Sequence, residues 1–575
     1  MEQILTLKEA LFPLKESSRS AIADADCETF DEIKKFLHLE RDIEWQLKSL
    51  LESVAKSNSK KLFFVCGNVG DGKSHLLASI RINCPELVAY VKLHNDATES
   101  SDPSATFIDE LNTIFNPFSD QNVDSGDEKV VIAINLGTLN NFLASDTENR
   151  FSKLKKYVKD QKILELGDIL ECKFEEDSPF QFVNFCDYHL FHLTKDGPES
   201  ELIETAIERV TSPDGPFFKA YEDQKAFFPD KCPICFNFEI LQSPHIRKKL
   251  SSLLIQCIIH GEIIISIRAL YNFIYELIVP IDLEPLDTQA TFAVISKFTQ
   301  EDFLRNILPN YIFSHPELSY IFKEIQKHDP AIRRGEIVDD TIIDLMVSDT
   351  PMRIMAKYIP LDDINNNLSK IFKENTSTDS DINTFIRVAF FWPKTDFNLL
   401  NTQSYETYMT LMFDWYSGAK NSLKPIYSLV QNAVTSWRGQ AGNGKINIDI
   451  GRQQLEYRTS QNIKMKPDPP ERPTSSTEKI KIFNTFLPIK FEVNGNGITL
   501  AVTYNLFSLV SKIKQGYRAT SLDHSNFIVF DDFVQNIVLA GERQREVFFT
   551  ESANKHQFIL ELDDFGDFCF REVQE

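Results

Sequence analysis

No stretch of the 575 residues approaches the roughly 18 consecutive apolar residues that a membrane-crossing helix needs. The N-terminus, MEQILTLKEALFPLKES, has neither the basic start nor the apolar centre of a secretory signal. A disulfide framework is lacking as well. The nine cysteines are scattered and odd in number, which suits a reducing interior better than a cross-linked scaffold. These absences predict a cytoplasmic protein with no membrane partner. Positive charge is scarce: 61 Lys and Arg face 84 Asp and Glu, for a net charge of −23. A chain that holds a nucleic-acid backbone alone draws its affinity from Lys and Arg on phosphates, so this balance argues against a stand-alone DNA binder. Internal repeats are absent, and no D…E-x-K nuclease pattern stands out on a strand pair.

What remains is ordinary globular composition, 42% hydrophobic and 25% charged. The length exceeds what one core can bury, so about two to four domains are expected.

Residues 61–74 read KLFFVCGNVGDGKS, an apolar run leading into G-x-x-x-x-G-K-S. Leu62–Cys66 can form a buried strand, and His75–Ile82 continues as a helix. A loop in that position turns backbone N–H groups toward a phosphate, because its small residues permit the turn and the helix N-terminus adds partial positive charge. The predicted nucleotide-binding set is Gly67, Asn68, Val69, Gly70, Asp71, Gly72, Lys73, Ser74 and His75. Lys73 reaches the β and γ phosphates of ATP, and the Ser74 hydroxyl ligates Mg²⁺.

Around this loop the pattern predicts a doubly wound, mostly parallel α/β sheet of the P-loop NTPase kind. Residues 1–59 read as a helical segment and 60–240 as the α/β domain. Within that domain further strands are expected at 87–93 (LVAYVKL) and 129–136 (KVVIAINL), with a helix over 104–115. Residues 241–464 read as a helical lid and middle region. Residues 465–478 (MKPDPPERPTSSTE) read as a proline-rich linker, and 479–575 as a small α+β domain with a hairpin over 489–502 around Asn-Gly.

Hydrolysis needs a carboxylate to activate water, usually at the end of an apolar strand. Here the best strand ends in Asn135, which resembles the water-orienting sensor Asn of AAA+ proteins; an Asn satisfying the strand-end backbone is the plain alternative. Asp109-Glu110 in FIDEL resembles a Walker B pair by letters but reads better as a capped helix. Asp96 and Glu99, in the HNDATES turn after the second strand, are the preferred carboxylates. The stretch IISIRALYNFIYELI resembles the sensor-2 helix of AAA+ lids, with Arg268 as the matching residue; an Arg at the wet edge of an apolar helix is the plain alternative. Arg333 and Arg334 read as a solvated pair before an arginine finger.

Cys232-Pro233-Ile234-Cys235 is a knuckle of the type that binds zinc, but no second CxxC follows, so packed free thiols outweigh structural zinc. A thioredoxin-type pair would need a helix starting at the first Cys, and the aromatic FNFEIL run is not expected to supply one.

GNVGDGKSHLL, HNDATES and VVIAINLGTLNNF, in this spacing, resemble the DptF family, the ATPase components of bacterial DNA phosphorothioation-dependent restriction systems. DYHLFHLT near residue 187, HDPAIRRGEIVDD and the C-terminal α+β piece are similar too, so the resemblance spans most of the chain. It implies a cytoplasmic defence protein acting with partner subunits, one a helicase-like ATPase, on DNA that lacks backbone sulfur. Contact with DNA is then indirect or through the complex, and a homo-oligomer stays open. The alternative is a STAND-like signalling or assembly switch with slow turnover and no direct DNA role.

Overall fold

In a computed structural model of the protein, the described residues are 6–15, 32–67, 72–94, 107–161, 163–164, 174–228, 232–333, 335–348, 351–358, 379–392, 402–439, 441–442, 444–448, 456–471, 473, 478–541, 546–551, 556–563 and 565–572. The chain divides into two compact units. Met1–His192, Pro198–Asn401 and Lys481–Phe483 form the first; Leu193–Gly197, Thr402–Ile480 and Asn484–Glu575 form the second.

The first unit is built on a four-stranded, all-parallel sheet of β1 (Lys61–Cys66), β2 (Lys92–His94), β3 (Lys129–Ile134) and β4 (Phe180–Asn184), in the order β2-β3-β1-β4. Helices before and between the strands include α1 (Leu7–Leu11), α2 (Glu32–Leu37), α3 (Asp42–Lys56), α4 (Lys73–Asn83), α5 (Pro85–Val88), α6 (Phe107–Phe115), α7 (Leu136–Ser145) and α8 (Ser152–Asp160). Side chains alternate across the sheet, and each face finds its own helical layer. Leu62, Phe64 and Cys66 of β1 pack with Leu111, Phe115, Leu139, Phe142 and Leu154 from α6, α7 and α8. Phe63 and Val65 face the other way, onto Ile43, Leu47, Leu51, Leu76 and Ile80 of α3 and α4. The sheet is therefore buried on both faces, which is why β1 reads as a continuous apolar run.

The second strand is shorter than its sequence suggests. Pro85 at the first position nucleates α5 through Val88, so only Lys92–His94 joins the sheet. The FIDEL segment is helical, as expected. Beyond β4 come α9 (Glu201–Thr211), α10 (Phe218–Phe227), α11 (Pro233–Ile240), α12 (Pro244–Gly261) and α13 (Ile267–Ile278). Within the stretch read as helical, the chain breaks between α12 and α13, where Glu262 takes a left-handed φ of 51°.

The division between units does not follow the proline-rich stretch. Helices Gln403–Tyr416 and Lys424–Trp437, expected in the middle region, belong to the second unit. Their tyrosines anchor them there: Tyr408 donates to the Thr485 carbonyl (3.0 Å), Tyr416 to Phe486 (2.9 Å) and Tyr427 to Lys490 (3.1 Å). Within the expected linker, Lys466–Pro467 pairs with strand Leu487–Val493 as a sheet edge. That strand and Asn496–Val502 form the expected hairpin. Its two-residue turn places Asn494 at φ 49° and Gly495 at φ 81°, positive values that Asn-Gly tolerates. A five-stranded antiparallel sheet and helices Tyr504–Lys514 and Ile528–Ala540 complete the unit.

Candidate functional site

Because β1–β4 run parallel, their carboxyl ends share one edge of the sheet, the edge where ligands bind in open α/β folds. Gly67 follows β1 there, Asn135 follows β3 and Asn184 closes β4. Gly72 caps α4 with a left-handed φ of 83°, a conformation that glycine adopts without the penalty a Cβ incurs. Lys73 is the first residue of α4 and only 9% exposed. Its Nζ donates to the Gly67 carbonyl (3.1 Å) and to Asn135 Oδ1 (3.0 Å). Two sites read separately in the sequence, 62 residues apart, are thereby joined. Ser74 lies in the first turn of the same helix. A partly buried lysine at a helix N-terminus, behind a left-handed glycine, is a donor set suited to a phosphate.

Asn68, Val69, Gly70, Asp71, Asp96 and Glu99 lie outside the described residues. His75 is turned to a neighbour: its Nε2 lies 3.2 Å from His38 Nδ1, and His38 Nε2 lies 3.0 Å from Glu44 Oε2. Lys48 Nζ holds the other Glu44 oxygen at 2.8 Å. Burial opposes ionisation of Glu44, but the hydrogen bonds from His38 and Lys48 outweigh it and hold its carboxyl at about 2.

The sequence reading missed Arg41, which precedes α3. Its guanidinium lies over the Phe185 ring at 5.0 Å, and its Nη2 is 3.3 Å from where a Cβ on Gly72 would stand. The available signal was the position of α3 just before β1. Also missed was Asp187, which ends the short 3₁₀ turn Phe185–Asp187 after β4. Burial pushes its carboxyl up to about 7, against a hydrogen bond from Asn184 Nδ2 at 3.1 Å.

Arg268 is the second residue of α13, near the helix start as expected. Tyr271, one turn on, donates to the Leu37 carbonyl. Arg333 is drawn inward, with Nη2 3.2 Å from His328 Nδ1, while Arg334 lies outside the described residues.

The cysteine pair departs from expectation in one respect. A helix does begin at the knuckle: Cys232 is the N-cap of α11 and Pro233 its first residue, where the missing N–H costs nothing. Both thiols are free and buried. Cys232 accepts from Gln224 Nε2 (3.2 Å), and a thiol hydrogen bond from Cys235 holds Cys232 down against its burial. That same bond, with burial, drives Cys235 far up. Among the described residues, no group of three or more His, Cys, Asp or Glu is placed to hold a metal ion.

No helix among the described residues is long and apolar enough to cross a membrane. Comparison with protein-family models, curated proteins and solved structures finds no match to this chain.

Proposed function

We propose that this chain is an ATP-binding and ATP-hydrolysing subunit of the P-loop, AAA+/ASCE kind, working in a restriction complex on DNA that lacks phosphorothioate modification. The observation that carries the nucleotide reading is Lys73, buried at the start of α4 and 3.0 Å from Asn135 at the end of the neighbouring parallel strand. The restriction role rests on the sequence resemblance to the DptF family alone.

In this reading the Lys73 ammonium stabilises charge that develops on the transferring phosphoryl group. Asn135 already holds Lys73, so it positions that ammonium and shares its oxygen with an attacking water. The Ser74 hydroxyl and the carboxylates proposed at Asp96 and Glu99 lie on the chain beyond α4's start and β2's end. Ser74 would ligate Mg²⁺, which when bound neutralises phosphate charge; Glu99 or Asp96 orients the water.

The test is Lys73→Ala, expected to lower ATP hydrolysis by about a hundredfold or more while thermal unfolding without nucleotide stays close to wild type. Normal hydrolysis in that variant would sink the reading. Glu99→Gln is expected to retain ATP with little turnover. If Asp109→Asn or Glu110→Gln abolished turnover instead, the catalytic carboxylate would move to α6. DNA- or partner-stimulated steady-state turnover marks a motor, whereas nucleotide retained near one per chain marks the slower assembly switch.

A further inference from the structure

Residues Phe36–Arg41 run from the last turn of α2 through the link into α3, and none of them belongs to the G-x-x-x-x-G-K-S motif. They are nevertheless held from both sides. From the helical part of the first unit, Arg209 of α9 donates to the carbonyls of Phe36 (3.2 Å) and His38, and Tyr271 of α13 donates to that of Leu37. Toward the loop, His38 meets His75, the residue after Ser74. Arg41 holds its guanidinium over the Phe185 ring, with Nη2 3.3 Å from where a Cβ on Gly72, the residue before Lys73, would stand.

The electrostatics of this arrangement point to a ligand class. Lys73, the Arg41 guanidinium and the positive end of the α4 dipole gather around Gly72. Like charges gathered in that way favour a polyanion, and a planar guanidinium adds paired N–H donors that an ammonium lacks. The Phe185 ring under the guanidinium restrains it, which lowers the ordering cost of using it.

We infer that Arg41 is a phosphate-binding residue of the nucleotide site, supplied in cis, and that α9 sets its position through the grip of Arg209 on the Phe36–His38 backbone. The inference rests on Gly67–Ser74 being the phosphate loop. Its consequence is that helices outside the sheet tune nucleotide affinity without touching nucleotide.

The experiment measures binding of ATP and of ADP, each with Mg²⁺, to the full chain over a range of salt. Arg41→Ala is expected to weaken ATP about tenfold or more and ADP by less, with a shallower salt dependence. A residue that merely supports the fold would weaken both alike and leave the salt slope unchanged. Arg209→Ala is expected to weaken ATP in the same direction, and the Arg41→Ala/Arg209→Ala pair to bind no worse than Arg41→Ala alone. Additive losses would overturn the link to α9. If Arg41→Ala unfolds, Arg41→Lys and Arg41→Gln replace it at matched stability; Lys retaining affinity that Gln loses supports the inference, and equal affinities overturn it. Lys73→Ala separates the two levels. Wild-type ATP affinity in Arg41→Ala with loss in Lys73→Ala removes only the role of Arg41, whereas wild-type affinity in both removes the phosphate-loop reading as well.

Discussion

At the scale of single residues, the carboxyl edge of the sheet carries groups in opposite electrostatic situations. Glu44 is held ionised by His38 and Lys48, whereas Asp187 is pushed by burial toward its neutral form, at about 7. For Asp187 the folded value exceeds the unfolded model value of 3.8, so the folded state binds its proton more tightly. Its contribution is fully present below that unfolded value and is lost as pH rises through about 7. Asp187→Asn removes the titration while keeping the shape. The variant is therefore expected to gain stability relative to wild type as pH rises from acid to above 7, by at most a few kcal/mol. Denaturant midpoints of both proteins across that range measure it, and parallel curves would show that Asp187 is not held neutral.

At the scale of elements, the sheet edge is positioned by packing on both faces. α7 presents Asn135 as its N-cap and, two turns later, the buried Phe142. The Phe142 ring meets Phe115 edge-on at 5.0 Å and Phe151 at 5.2 Å, while Phe115 contacts Phe64 of β1 at 5.7 Å. This aromatic chain ties the helix carrying Asn135 to the strand that leads into Gly67. Phe142→Ala is expected to cost about 3–5 kcal/mol, read from chemical denaturation, because the cavity opens inside a closed layer. A loss near zero would mean that α7 is not held by this contact.

At the scale of the molecule, two units each carry their own core, and the chain bears a net charge of −23. Nothing in that balance supplies the counterion release on which unaided backbone binding depends. The isolated chain is expected to show no retention of duplex DNA at physiological salt, with or without phosphorothioate, in a filter or mobility assay. Tight, salt-sensitive binding by the chain alone would contradict the indirect role proposed for it. Nucleotide, by contrast, is expected to bind without partners, since the donors described belong to one unit.

Short-range pattern was enough for the strand before Gly67, the helix that starts at Lys73, the helical nature of FIDEL and the Asn-Gly hairpin. Each depends on short-range rules: an apolar run, a glycine at a required φ, a turn pair, a helical period. It also singled out Asn135, though not its partner. The tertiary structure decided what no spacing encodes. It brought Lys73 to Asn135, set Arg41 against Gly72, half-buried Asp187 beside Asn184, capped α11 at Cys232 and drew Gln403–Trp437 into the second unit. These facts depend on which strand lies beside which, and on where long polar side chains find backbone carbonyls. Local pattern carries no information about either, because both are settled only when distant segments close on one core.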